Sequence, residues 1–199
     1  MSRKKMNMDE LLRSRRTIRR FQQKPIPEKW LFEFVDVARY APSDMNIQPC
    51  EYIIINNQEK VKAITQLIAW DQFTECDRTH GPTAYIVVLI DFFKKRKGGE
   101  LDAASAVQYI LLSAHARGVG THWITRFQQK KIKKLFRIPH HIHVNSLVAL
   151  GWPMENPVVE EAQSTTHLWK DEKGIIHVPK RRLADICYLN GYLHSDRHR

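Results

Sequence analysis

This chain predicts an α/β or α+β layered domain, and three observations carry that reading. β-rich runs at residues 52–55, 84–90 and 144–150 alternate with helical stretches at 28–40, 58–69 and 101–117, and strands alternating with helices build layered sheets. The length of 199 residues suits a single domain, 1–199, with a sizeable core. No internal repeat or low-complexity segment breaks the pattern.

In chain order, residues 8–16 read as a short helix with Met8, Leu11 and Leu12 inward. A cationic segment carrying Arg13, Arg15, Arg16, Arg19 and Arg20 follows, and Phe21 with Pro25-Ile26-Pro27 imposes an extended path. Leu31, Phe34, Val35, Ala38 and Ala41 recur at steps of three and four, which makes 28–40 a helix. Pro27 suits its first turn and Pro42 stops it. Tyr52-Ile53-Ile54-Ile55 is β-rich and ends at Asn56-Asn57, a buried strand.

Val61, Ile64, Leu67 and Ile68 give a helix over 58–69. Residues 69–82 have no period and read as a surface loop or short lid. Residues 84–90 are a strand, and 94–99 a basic loop ended by glycine. The 101–117 helix is apolar nearly all round: Ala103, Ala106, Val107, Ile110, Leu111 and Ala114 form one face, while Leu112 and Ala116 interrupt the other. Such a helix is buried on several sides, and in a chain this short one side can belong to a partner subunit.

Gly118 and Gly120 close that helix and lead into a strand at 121–125. A helix at 128–137 points Ile132, Leu135 and Phe136 inward and four lysines outward. Residues 144–150 form a buried strand closed by Gly151-Trp152-Pro153. Residues 155–166 shift to Pro, Glu, Ser and Thr and read as an extended arm. A turn at Lys173-Gly174 precedes Ile175-Ile176, and 183–189 is a helical patch.

The chain is organised around two stretches flanking the 28–40 helix. Arg15-Arg16-Thr17-Ile18-Arg19 enters it, and Ala41-Pro42-Ser43-Asp44-Met45-Asn46-Ile47-Gln48-Pro49 leaves it. Guanidinium groups suit a phosphate. Ser43, Asn46 and Gln48 supply donors and acceptors for a planar heterocycle with carbonyls and ring nitrogens. A ligand with both ends is a flavin mononucleotide, FMN. No Rossmann or P-loop glycine fingerprint is present, so a nucleotide is held some other way.

Composition narrows the setting. Charged residues at 27% and hydrophobic ones at 43% are ordinary for a globular protein, but a net charge of +11 is not, and it favours anionic ligands. Cys50, Cys76 and Cys187 have the spacing of neither a zinc site nor a disulfide framework, which fits a reducing cytoplasm. Asp9 and Glu10 stand where a signal peptide would carry its apolar core. No apolar run has the length of a bilayer span, so no membrane partner is expected. His140, His141 and His143 invite a metal, but no third ligand is evident, and the expectation is no metal site.

Arg15-Arg16-Thr17-Ile18-Arg19-Arg20-Phe21 resembles the RRS-x-R-x-F opening of the nitroreductase family of FMN-dependent oxidoreductases. Ala41-Pro42-Ser43 with Asn46 and Gln48-Pro49 resembles its APS-x-x-N-x-QP. The helix at 102–108, Gly118-Val119-Gly120-Thr121-His122-Trp123-Ile124 and Ala149-Leu150-Gly151-Trp152-Pro153 follow in the family's order, and Lys180-Arg181-Arg182-Leu183 resembles its C-terminal basic element. Cys50 departs from the pattern, because the family usually has an aromatic residue there. Residues 69–82 fall where family members vary their lids.

The resemblance implies an α+β fold with a central, mostly antiparallel sheet flanked by helices. It implies a homodimer of domain-swapped type with FMN at the subunit interface and the 155–199 arm wrapping the partner. Carried over by position, Arg15, Arg16 and Thr17 would contact the phosphate, with Lys180 and Arg182 closing on it. Arg19 would reach the flavin N1/O2 edge. Pro42, Ser43, Asn46 and Gln48 would line the ring and ribityl chain, and Trp123, Ile124 and Thr125 would lie beside the ring.

The implied reaction is ping-pong, with hydride from NADH or NADPH passing through flavin N5 to a small acceptor such as a nitroaromatic or quinone. No side chain need be catalytic, because the flavin carries the chemistry. Dehalogenation or flavin breakdown on the same fold is the alternative. A basic nucleic-acid-binding module would use the 13–20 and 130–137 patches, but no nucleic-acid motif is present and Asn46 and Gln48 would go unexplained.

Overall fold

A computed structural model describes residues 7–70 and 79–192. The chain forms two compact units, Met1–Glu155 and Asn156–Arg199. The first contains helices α1 (Met8–Ser14), α2 (Glu28–Ala38), α3 (Gln58–Thr65), α4 (Gly99–Ala116) and α5 (Gln129–Leu135). Its strands are β1 (Phe21–Gln22), β2 (Cys50–Ile55), β3 (Ala84–Asp91), β4 (Gly120–Ile124) and β5 (Ile142–Pro153). The strands form one five-stranded sheet in which every pairing is antiparallel. Between the two classes that the alternation left open, this pairing decides for α+β.

Strand β3 is buried along its whole length, and its alternation divides the core in two. Ala84, Ile86, Val88 and Ile90 pack with α2 and α4, whereas Tyr85, Val87 and Leu89 face the Val61, Ile64 and Ile132 side chains of α3 and α5. Helices therefore cover both faces. The long β5 binds β3, β4 and β1 in turn, and a bulge opposite Val88/Leu89 leaves Asn145 without a register partner.

Two glycines permit close approach beside this strand. A Cβ on Gly120 would come within 2.9 Å of Ile18, and one on Gly151 within 2.7 Å of Phe21. The segment before β1 is thus pressed onto β4 and β5.

Several expectations shift. Met8 and Leu12 are exposed, because α1 has only two turns and buries no residue. Leu135 is exposed too: α5 ends there, and Phe136 packs inward in its place. Strand β2 is a half-buried edge, since only β3 flanks it. Of the 69–82 lid, residues 71–78 lie outside the described residues. On α4 the expected face is buried, while Leu101 and Tyr109 stay exposed on another side. Among the described residues no helix is long and apolar enough to cross a membrane.

The second unit is more regular than an extended arm. Its strands β6 (Val158–Glu161), β7 (Trp169–Lys170) and β8 (Ile176–Lys180) form a sheet in the order β6-β8-β7, with β6 parallel and β7 antiparallel to β8. The turn at Gly174 has φ 75°, a left-handed position suited to glycine. The helical patch at 183–189 is reduced to a 3-10 turn over Leu183–Asp185.

Candidate functional site

Helix α1 ends at Ser14, and its C-cap Arg15 has the extended backbone that carries the basic segment onward. Thr17 forms a parallel β-bridge with Thr121, and Ile18 N–H donates to the Thr121 carbonyl at 2.9 Å. The segment is therefore tied to β4 at a single bridge, with Ile18 buried and Thr17 and Arg19 half-buried on either side. The Glu155 carboxylate accepts from the backbone N–H of Arg19 and fixes the far end.

Arg15 and Arg16 are half-buried, and neither forms an ion pair among the described residues. Arg16 donates to the carbonyls of Arg13 and Arg15. Burial lowers the pKa of both guanidiniums, and the charge of Arg15 lowers that of Arg16 further. Two neighbouring cations with no local carboxylate make a site that gains by binding an anion.

The second stretch forms a tight loop after α2. A 3-10 turn spans Asp44–Asn46, and Met45, Asn46 and Gln48 all take left-handed backbone, at φ 48°, 57° and 51°. Ser43 Oγ accepts from Gln48 N–H at 3.0 Å, and the Gln48 amide donates to Asn46 Oδ1 at 3.1 Å. Asp102 Oδ1 accepts from Asp44 N–H at 3.0 Å, and Lys95 Nζ bridges Asp102 Oδ2 (2.9 Å) and Asp44 Oδ2 (3.1 Å). Pro42, Asn46 and Gln48 are exposed and Ser43 is half-exposed. No hydrogen bond or ion pair joins this loop to residues 15–19 within one chain, among the described residues.

On β4 the side chains alternate. Ile124 is buried in the core, so only its main chain is available to a ligand, whereas Trp123 and Thr125 point outward. In the second unit, Arg182 is engaged by Asp185 through Nε–Oδ2 (3.0 Å) and a second bond of 3.2 Å, which raises its pKa. The Nη1 donors of Arg182 take no part in these two bonds. Lys180 is exposed at the end of β8.

Of the remaining candidates, Cys50 is half-buried beside Tyr52, and its thiol is pushed up to about 11, by burial first and then by the charge of Asp102. It is a weak nucleophile in this state. His141 stacks on Phe93 and His143 on Phe92, and burial, then Lys133, lowers the pKa of His143. No cluster of three or more metal-type side chains occurs among the described residues.

Sequence reasoning did not single out Lys95, Asp102 or Glu155 as individual site residues. Asp102 had one available signal, a carboxylate in the first turn of a helix otherwise apolar nearly all round.

A sequence model of the nitroreductase family matches residues 12–86 and 83–152. A Methanothermobacter thermautotrophicus protein, provisionally named NADH dehydrogenase/NAD(P)H nitroreductase, is 31% identical over 158 residues, covering 77% of this chain and 81% of that protein. The iodotyrosine deiodinase of Thermotoga neapolitana is 23% identical over 162 residues, 72% of this chain and 87% of its own. Among solved structures, a provisionally named nitroreductase from Desulfovibrio desulfuricans in complex with FMN superposes with a TM-score of 0.71 at 20% identity, covering 94% of this chain and 99% of that one. That likeness establishes the fold.

Proposed function

This chain belongs to the nitroreductase family, and from that premise we propose that it is an FMN-dependent oxidoreductase. It would draw hydride from NADH or NADPH and reduce a small acceptor such as a nitroaromatic or quinone. The observation that carries the reading is the pair Arg15 and Arg16, half-buried cations with no ion-pair partner among the described residues. The donor set fits FMN: guanidiniums for the phosphate, and amide and hydroxyl groups on a preshaped loop for the ring. When bound, FMN supplies a ring that takes up and gives back hydride.

Arg15, Arg16 and Thr17 hold the phosphate, joined by Lys180 and Arg182. Arg19, its backbone anchored by Glu155, sets a positive charge at the pyrimidine edge of the ring and so favours the reduced, anionic form. Pro42, Ser43, Asn46 and Gln48 would line the ring and ribityl chain, while Trp123, the main chain of Ile124, and Thr125 would lie beside the ring.

The two motif segments share no bond within a chain, and α4 leaves Leu101 and Tyr109 exposed. Both facts support a homodimer whose two subunits complete each site, with the C-terminal unit as an arm on the partner. A dehalogenating acceptor reaction is the second reading, favoured by the likeness to a deiodinase.

The test is the visible spectrum of the purified protein under anaerobic addition of NADH and NADPH. An oxidised-flavin spectrum bleached by either nucleotide is expected, and Arg19→Ala should lower the flavin potential. A colourless protein that takes up no added FMN overturns the reading.

A further inference from the structure

The 43–48 loop does not have the shape its own residues prefer. Met45, Asn46 and Gln48 are all left-handed, and of the three only Asn enters that region readily. The internal bonds from Ser43 and Gln48 tie the loop to itself but attach it to nothing else.

The attachment comes from residues distant in sequence. Asp102 lies in the first turn of α4, where the helix end favours a carboxylate. Its two oxygens are used separately: Oδ1 holds Asp44 N–H and Oδ2 holds Lys95 Nζ. Lys95 also reaches Asp44 Oδ2 at 3.1 Å. The side chains of Lys95 and Asp102 are only 11% and 7% exposed, so neither is a surface ion pair of small effect. A buried pair costs desolvation and does more to select one conformation than to add stability. The conformation selected here is that of the loop.

We propose that Lys95 and Asp102 are positioning residues, a clasp that holds the 43–48 loop in the shape presenting Ser43, Asn46 and Gln48 to the flavin. This rests on the reading that the loop contacts the cofactor. The clasp joins the β3–α4 connection and the start of α4 to that loop, so the ring environment depends on side chains that never touch the ring.

The experiment uses the full-length protein and reads amide hydrogen exchange over residues 42–49 without cofactor, then FMN affinity, visible circular dichroism and midpoint potential. Lys95→Met should speed exchange in the loop and weaken FMN binding by about tenfold or more, with a changed visible dichroism and a shifted potential. Lys95→Arg, which keeps the charge, should restore much of each.

Asp44→Asn removes one arm at an exposed residue and so serves if Lys95→Met fails to fold. A several-fold loss of affinity is expected from it. If wild type binds FMN while Lys95→Met or Asp44→Asn leaves affinity, dichroism and potential unchanged, the clasp is overturned. A wild-type protein that binds no FMN overturns the functional reading and this assignment together, and the unmutated control separates that case from the first.

Discussion

Residues 15–19 and the 43–48 loop are the two halves of one proposed site, yet they are built by different means. The arginine segment is held mainly through its own backbone: a bridge from Thr17 to Thr121, a hydrogen bond from Ile18 to the Thr121 carbonyl, and the Arg19 N–H on the Glu155 carboxylate, with Ile18 buried against Gly120. The loop is held by side chains, through Ser43 and Gln48 within it and Lys95 with Asp102 outside it. Strand pairing does not depend on which side chains point outward, so the arginines can be exchanged without losing the segment. The loop's shape is specified by particular side-chain oxygens and one ammonium, and each is a point of failure.

The largest effect should come from removing the cations. Arg15→Ala with Arg16→Ala should weaken FMN binding about a hundredfold or more, as two charge-assisted contacts are lost. Thermal unfolding should shift only modestly, because the structural bonds lost are those of Arg16 to the Arg13 and Arg15 carbonyls, and neither guanidinium forms an ion pair among the described residues. Calorimetric titration alongside a melting curve checks both halves; a large drop in melting temperature would show that the arginines are structural.

Next, Gly120→Ala attacks the backbone attachment, since the new methyl would meet Ile18 at 2.9 Å. Overpacking of this kind costs about 1–3 kcal/mol, measurable by urea denaturation, with FMN affinity falling as the segment lifts from β4. Ser43→Ala is milder. It removes the acceptor for Gln48 N–H, at a cost of about 1 kcal/mol in stability, and should also appear as a several-fold weaker FMN affinity.

The smallest effect is a pH dependence confined to the second unit. His177 lies between Glu160 (Nδ1–Oε2, 2.9 Å) and Asp171 (Nε2–Oδ2, 3.5 Å) and stacks on Trp169. The bond to Glu160 raises its pKa above the ordinary 6.5. The stabilisation is therefore complete below that ordinary value and is lost as pH climbs through the raised one. Glu160 and Asp171 are shifted down, from 4.5 and 3.8, and their share is present above those values and lost in stronger acid. Protection factors in β6 and β8, corrected for the base-catalysed intrinsic exchange rate, should be largest in mildly acidic buffer and smaller above neutrality, a difference that His177→Gln should abolish.

Different kinds of information were legible in the sequence. Strand β3 and helices α2 and α4 follow from local periodicity, because a buried run or an amphipathic stripe is written in consecutive residues. The two motifs were legible as residue types. Their supports were not: Glu155 is 136 positions from Arg19 and Asp102 is 58 from Asp44, and no local pattern encodes such pairings. For Met8, Leu12 and Leu135 the pattern promised burial and the single chain exposes them, since two-turn helices have little surface to place against a core.

By itself the sequence determined the family through ordered motifs, the core strands and helices through hydrophobic period, and the cationic character of the 15–19 segment through Arg15, Arg16 and Arg19. Only the tertiary structure decided that every pairing in the main sheet is antiparallel, that the arginine segment rides on β4, and that a buried Lys95–Asp102 pair grips the 43–48 loop. The physical reason is range: period and composition act between neighbours along the chain, whereas register, burial and ion pairing are settled among residues that meet only after folding.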